Sequence, residues 1–378
     1  MKKNRKLWLL AIEKCRMDKK ALVYGCTGQD GFYLLQFLLR HDYEVIGVAR
    51  RSSVDNTVRL EELKEDENFT IIEGDILDPS SINSTFSEHQ PTEIYNLAAQ
   101  SHVATSFQQP LFTFQVNAVG VLNLLEGIRN VCPEVRFYQA STSEMFGSNY
   151  SEKYLDRTEL RKFQNEDTPL SPRSPYAVAK TAAHQLVHTY RESYGLHASA
   201  GILFNHESPK RGEAFVTRKI TKYVGELVHK MWYEIGHKHP VFDTFGPEEV
   251  DKLRLGNLDA QRDWGYAGDY VKAMYLMLQQ DKPGDYVIAT GETHSIRDFL
   301  SAAFGFIHRN WEDYVVVDPK FYRPADVEFL LGNARKAEDV LGWKPEVSFS
   351  GLVEKMVIHD IKEAMEKTEE NSSFTKTF

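Results

Sequence analysis

Three glycines, Gly25, Gly28 and Gly31, stand in the segment GCTGQDG, directly after the apolar run ALVY and directly before FYLLQFLLRH, whose apolar spacing is that of an amphipathic helix. A strand-to-helix turn of this kind has few solutions. The first glycine permits the tight turn, the second lets backbone approach a bound pyrophosphate, and the third lets helix and strand pack closely. The first N–H groups of the helix then face the anion. Glycines also cluster in plain turns, so the triplet points to dinucleotide binding through its position at the first strand-to-helix turn.

The next apolar run, YEVIGVA, closes a strand–helix–strand unit, and the alternation continues through FTIIEGD, SSINSTFSEH, EIYNLAA, VNAVGVLNLLEGIRN and VRFYQAST to about residue 205. Such alternation predicts an α/β fold, a Rossmann-type doubly wound parallel sheet with helices on both faces. Beyond residue 205 the rhythm becomes irregular. The expected division is a Rossmann domain over 18–204 with a returning segment near 264–290, and a smaller mixed α/β C-terminal substrate domain over 205–263 and 291–362. Residues 1–17 and 363–378 are expected to be flexible ends. A length of 378 residues suits two domains at roughly 150 residues each.

Composition serves mainly to exclude. A net charge of −9 disfavours a duplex nucleic-acid binder, which presents a basic face to phosphates. Three cysteines, Cys15, Cys26 and Cys132, are too few and too scattered for a disulfide framework or a zinc cluster, and point to a reducing, cytoplasmic setting. The apolar run Leu7 to Ile12 is short and followed at once by Glu13 and Lys14, unlike a secretion signal. No stretch reads as the roughly 20 apolar residues that span a bilayer, so no membrane association is expected.

The second strand ends in VARRSS, where an NAD-preferring site carries an acidic residue about 20 residues past the glycines. Arg50 and Arg51 stand there instead. Guanidinium groups pair bidentately with a 2′-phosphate, which favours NADP, although a solvated basic turn is the plainer alternative. Tyr176 and Lys180 in SPYAVAK are four residues apart and share a helical face. An ammonium beside the phenol is expected to lower its pKa from near 10 and make it a usable base. The strand before that helix ends in Ala140, Ser141, Thr142, Ser143 and Glu144, at the edge where parallel strands deliver side chains to a cofactor crevice. Thr142 could hydrogen-bond a substrate hydroxyl. Glu144 adds a second base that simple hydride transfer does not need, or else is a first-turn helix carboxylate.

With these elements in hand, the chain resembles the extended short-chain dehydrogenase/reductase superfamily and, within it, the GDP-mannose 4,6-dehydratase family. The stretches that carry the resemblance are GCTGQDG, VARRSS, YNLAAQSHV, YQASTSEMFG, PRSPYAVAK, GILFNHESPKRGEAFVTRKI, LGNLDAQRDWGYAGDYV and FYRPADVEFLLGN, between about Lys20 and Met356. The resemblance implies a lyase that dehydrates GDP-mannose to GDP-4-keto-6-deoxymannose by transient hydride transfer to bound NADP. Thr142, Glu144, Tyr176 and Lys180 would be the catalytic set.

Gly25, Thr27, Gly28, Gln29, Asp30 and Gly31 would surround NADP, with Arg50, Arg51, Ser52 and Ser53 at its 2′-phosphate side. Asp75 and Ile76, the run Leu97, Ala98, Ala99, Gln100 and Ser101, and His206 and Arg211 would complete that site with Tyr176 and Lys180. Ser101, Thr142, Ser143, Glu144, Tyr176, Asn205, Lys219, Arg262, Arg323 and Glu328 would face the GDP-sugar. In the family the segment bearing Arg51 reaches a neighbouring subunit's cofactor, which implies a homodimer or homotetramer. No metal is invoked, since His237 and His239 lack a recurring carboxylate or cysteine partner.

Departures from the family pattern are the longer segments near 148–168 and 236–252, both expected near the sugar pocket, with Phe112 where a tyrosine is frequent and Tyr266 where a histidine is usual. Two other functions share parts of this constellation. An NADP-dependent nucleotide-sugar epimerase or ketoreductase needs Tyr176 and Lys180 but not Glu144 as a carbon base. A non-catalytic NADPH-binding sensor needs only the cofactor pocket.

Overall fold

A computed structural model describes residues 19–154, 160–234, 246–322 and 327–374. Its centre is a seven-stranded parallel sheet of β1 (Lys20–Tyr24), β2 (Glu44–Ala49), β3 (Phe69–Glu73), β4 (Glu93–Asn96), β5 (Arg136–Thr142), β6 (Ala198–Leu203) and β7 (Asp285–Ile288). In space the order is β3-β2-β1-β4-β5-β6-β7, with every pairing parallel. The order reverses between β1 and β4, and ligands of doubly wound sheets bind at the strand C-termini beside such a switch. The expected fold class is therefore the observed one.

Among the described residues, eight longer helices complete the architecture: α1 (Gln29–Leu39), α2 (Pro79–His89), α3 (Gly120–Val131), α4 (Pro175–Tyr194), α5 (Val216–Glu234), α6 (Ala267–Gln279), α7 (Ile296–Gly305) and α8 (Phe349–Phe374). Alternate residues of a strand point to opposite faces, and β1 divides accordingly. Ala21 and Val23 pack with Leu34, Leu35 and Leu38 of α1 and with Met274 and Met277 of α6. Leu22 and Tyr24 pack with Phe86 of α2, Leu124 and Ile128 of α3 and Val187 of α4. With both faces covered, the strands are continuous apolar runs.

Outside the sheet, α5, α7 and α8 share a separate core that includes Ile220, Val224, Phe299, Phe304, Leu352 and Met356. Helix α8 continues to Phe374, past the point where a frayed end was expected, and Glu363 pairs with Arg218 at 2.9 Å. Residues 1–17 of the expected N-terminal extension and residues 375–378 lie outside the described residues.

One expectation needs correction. A continuous helical stretch, Pro110–Val131, is long and apolar enough to cross a bilayer. Half of it is buried within the protein, and Val121, Leu124, Leu125 and Ile128 lie in the core beside the sheet. A helix packed on a sheet on one side and partly covered on the other acquires the same composition as a membrane helix.

Candidate active site

The backbone at the end of β1 turns sharply, and Gly25 adopts φ +77°, a left-handed conformation costly for other residues. A Cβ there would lie 2.6 Å from the Ala98 nitrogen, so the turn also needs the space. Gly28 differs: its Cβ would meet only the Gly25 carbonyl, at 3.3 Å. It is the N-cap of α1 and offers no side-chain capping bond, so the first N–H groups of the helix keep their capacity for an anion.

These groups line a crevice of about 1110 Å³ that spans the C-terminal ends of the strands and the segments beyond β6. It gathers the glycine turn, Gln29, Asp30, Asp75, Ile76 and the run from Leu97 to Ser101. It also includes Thr142, Ser143, Glu144, Tyr176 and Lys180, together with Asn205, His206, Arg211, Lys219 and Arg262. Phe112, the departure from the family tyrosine, is on its wall, whereas Tyr266 packs edge-on against Tyr33 with ring centroids 5.5 Å apart. The residues present fit a nicotinamide dinucleotide, because an anion-ready helix terminus follows a turn whose second glycine leaves room for close approach.

Four sequence expectations require adjustment. Arg50 lines the crevice, but Arg51, Ser52 and Ser53 are exposed and stand outside it, because the chain leaves the sheet after Ala49. Glu328 is exposed and contributes its backbone carbonyl to the Gln261 N–H at 2.8 Å, while Arg323 lies outside the described residues. The enlarged segments do not reach the crevice among the described residues: Ser151–Tyr154 and Leu160–Phe163 pair as an antiparallel hairpin anchored by Gln164, whose N–H donates to the Leu331 carbonyl at 2.8 Å. Residues 155–159 and 235–245 lie outside the described residues.

The fourth concerns the phenol. Helix α4 is capped by Ser174, whose hydroxyl accepts from the Ala177 N–H at 3.1 Å, and Pro175 occupies its first turn. Tyr176 and Lys180 thereby enter the crevice one above the other. Burial pushes Tyr176 up to about 12, against the Thr142 hydrogen bond, and the nearby Glu144 charge adds to the rise. Burial pulls Lys180 down to about 8, with Asp30 opposing. The expected lowering of the phenol by the ammonium is therefore not observed. Lys180 instead donates to the Ala140 carbonyl at 2.9 Å, and burial outweighs any help to the phenolate.

Glu144 follows Thr142 at the start of a single turn, Ser143–Phe146, and its backbone N–H donates to the Thr142 hydroxyl at 3.3 Å. Among the described residues, no hydrogen bond or ion pair holds its carboxylate. The group is half-buried and faces the same crevice as Tyr176.

Asp30 is engaged differently. Its Oδ2 pairs with His206 Nε2 at 2.7 Å, and its Oδ1 accepts from Gln29 Nε2 at 2.9 Å. The Gln29 amide also donates to the His206 carbonyl and accepts from the Ser208 hydroxyl, so the start of α1 is tied to the segment after β6. Arg262 is placed by its neighbour: Asp263 accepts from the N–H groups of Thr290, Gly291 and Gly332 and from the Thr290 hydroxyl. Burial still raises Asp263 to about 6.

Residues on the crevice wall that the sequence did not single out include Glu207, Phe215, Arg254 and Tyr322. They come from short strands and loops beyond the central sheet, where no period signals a role. Asn117, in the helical stretch before α3, fixes Gln100 by exchanging hydrogen bonds with its backbone at 2.8 and 2.9 Å. His359, Asp360 and Glu363 lie together on α8, but Arg218 is ion-paired with both carboxylates.

Comparison with known proteins agrees with this geometry. A family model described as GDP-mannose 4,6 dehydratase matches residues 22–243 and 245–356. GDP-mannose 4,6 dehydratase 1 of Arabidopsis thaliana is 48% identical over 354 residues, spanning 91% of this chain and 90% of the plant protein. Among solved structures, UDP-glucose 4-epimerase of Thermotoga maritima with UDP-glucose aligns with a TM-score of 0.72 at 25% identity, covering 91% of this chain and 99% of that one. The dTDP-glucose 4,6-dehydratase of Bacillus anthracis in complex with NAD shares the fold, with a TM-score of 0.72 at 21% identity over 93% of this chain and 98% of that one. The match along nearly the whole chain, with the glycine turn, Thr142, Glu144, Tyr176 and Lys180 converging on one crevice, places this protein in the GDP-mannose 4,6-dehydratase family.

Proposed function

We propose that this enzyme converts GDP-mannose to GDP-4-keto-6-deoxymannose with a bound nicotinamide dinucleotide, and that this dinucleotide is NADP. The observation that carries the reading is the Glu144 carboxylate, facing the crevice beside Thr142 and Tyr176 with no partner among the described residues.

Thr142 and Tyr176 line the same crevice, so together they offer the sugar 4-hydroxyl a phenol oxygen to receive its proton and a hydroxyl to hold it in place. When bound, an oxidised nicotinamide would supply an acceptor for the hydride of carbon 4, a store from which carbon 6 is reduced, and positive charge that favours the phenolate. The carbonyl at carbon 4 acidifies the hydrogen on carbon 5. Glu144 takes that proton and, now a carboxylic acid, gives it to the departing 6-hydroxyl, which leaves as water; as hydride is returned to carbon 6 of the resulting 4-keto-5,6-ene, carbon 5 takes a proton from solvent, and the Tyr176 phenol passes the 4-hydroxyl proton to solvent. Lys180, held on the Ala140 carbonyl, keeps a cationic donor beneath the site.

The choice of NADP rests on Arg50, which follows β2 at the crevice where an acidic residue would bind a ribose hydroxyl. Arg51, Ser52 and Ser53, exposed outside the chain's own crevice, support a homodimer or homotetramer in which this segment meets a second copy. The sugar-binding role falls to Asn205, Lys219 and Arg262, and the substrate unit to residues 205–263 and 291–362. Incubation with a panel of nucleotide sugars, read by mass, tests the reading: GDP-mannose alone should lose one water without added reductant.

A further inference from the structure

Two consecutive residues at the end of β5 are each bonded to one residue of α4. The Ala140 carbonyl accepts from Lys180 Nζ at 2.9 Å and the Ser141 hydroxyl meets His184 Nδ1 at 3.0 Å, while Thr142 and Tyr176 line the same crevice. Tyr176, Lys180 and His184 are spaced by four, so all three lie on one face of the helix. Tyr176 and Lys180 have chemical roles, and His184 lies one turn further on, next to Ala183 and Val187, which are fully buried.

An imidazole is an expensive way to fill that space. Both Ser141 and His184 are more than nine-tenths buried, and a buried polar ring costs stability unless its nitrogens are satisfied. An apolar side chain would pack there without that cost. What the imidazole adds is a directional bond to the residue between Ala140 and Thr142. We infer that His184 is a positioning residue, whose hydrogen bond to Ser141 fixes the register of α4 on β5 and thereby the reach of Tyr176 and Lys180 into the crevice. The inference rests on the proposed roles of those two residues.

Burial lowers the His184 pKa, with Arg191 and His188 acting in the same direction and Asp285 against them. The ring is accordingly neutral near pH 7, with one donor and one acceptor nitrogen, and either role at Nδ1 is compatible with the Ser141 hydroxyl. A loss of register of a fraction of an ångström is enough to spoil proton transfer, which needs heavy atoms within about 2.6–3.2 Å.

The test compares His184→Phe, His184→Asn and Ser141→Ala in the holoenzyme. His184→Phe keeps the volume and removes the bond, and should lower kcat for GDP-mannose about tenfold while KM changes less than about twofold. His184→Asn, whose amide reaches the place of Nδ1, should recover most of that loss. Ser141→Ala should behave like His184→Phe, and the double variant should be no worse than either alone. A folded His184→Phe with the parent kcat overturns the inference, as does an Asn variant no better than Phe. Should His184→Phe fail to fold, Ser141→Ala decides alone: reduced kcat supports the positioning role, and parent kcat refutes it. If the parent protein does not release water from GDP-mannose, the proposed function fails by itself, and imidazole 15N spectra still decide the contact. An Nδ1 resonance of His184 that moves in Ser141→Ala supports the bond, and an unmoved one overturns it.

Discussion

Asp30 and His206 stand 176 positions apart in the chain and 2.7 Å apart in space, carboxylate oxygen to imidazole nitrogen, at the floor of the crevice. The pair joins the glycine turn to the segment that carries Asn205 and Arg211. Burial opposes charge on both groups. The partner's charge and the hydrogen bonds together outweigh that penalty, so His206 lies above its ordinary 6.5 and Asp30 below its ordinary 3.8.

The sign of the resulting pH dependence follows from linkage. A raised histidine stabilises the fold fully below its unfolded pKa, and that contribution is lost as pH rises through its folded pKa, above 6.5. The lowered carboxylate contributes above 3.8 and loses its share as pH falls through its folded value. Urea unfolding should therefore show a greater stability at pH 6 than at pH 9 from this pair, on the order of 1–3 kcal/mol. Asp30→Asn should be less stable at pH 6 and should flatten this part of the profile. An unchanged pH profile in the variant would remove the pair from the account.

The two glycines of the turn should respond differently to an added methyl. Gly25→Ala forces a left-handed alanine against the Ala98 backbone, and should cost at least about 2 kcal/mol of stability as well as cofactor binding. Gly28→Ala should fold normally and bind NADP at least about tenfold more weakly, because only the approach of the pyrophosphate is obstructed. Thermal unfolding with isothermal titration calorimetry separates the two outcomes.

Replacing Arg50 by Glu should invert cofactor preference. NADP binding should weaken by about 100-fold through loss of a phosphate partner and gain of a like charge, and NAD binding should change little or improve. Equal loss for both dinucleotides would place Arg50 away from the 2′-phosphate.

Lys180 gives the reaction a basic limit. Its folded pKa is lowered to about 8 by burial, so the ammonium is present below that value and is lost above it. The kcat for GDP-mannose should decline as pH rises through about 8, and Lys180→Met should lower kcat by at least about 100-fold across the range. A flat profile to pH 10 would show that the charge on this lysine is not used.

What could be read from the chain divides by range. The glycine turn, the Tyr176–Lys180 spacing and the Arg50 position are local patterns, and their meaning depends on the strand or helix that bears them. The layered parallel sheet was legible for the same reason, through alternating apolar runs. Contacts between distant segments left no local mark. Nothing near Asp30 indicates His206, and nothing near Lys180 indicates that its ammonium is held by the Ala140 carbonyl instead of assisting the phenol. Glu328 sits in a segment matched by motif, yet its exposed side chain stands apart from the crevice because the backbone there is tied to Gln261. The Pro110–Val131 helix was legible in VNAVGVLNLLEGIRN, but its extension back to Pro110, which gives it membrane-spanning length, was not.

Glu144 separates this reaction from the epimerase and reductase chemistry that the same Tyr176 and Lys180 could support. The decisive measurement is the product mass and the deuterium content at carbon 5 after turnover of GDP-mannose in heavy water by the parent enzyme and by Glu144→Gln. The parent should release one water and carry one solvent deuterium at carbon 5, while the folded, cofactor-bound variant should do neither at more than about one hundredth of the parent rate. Water loss by Glu144→Gln at the parent rate would contradict the assignment of this carboxylate as the group that moves the proton.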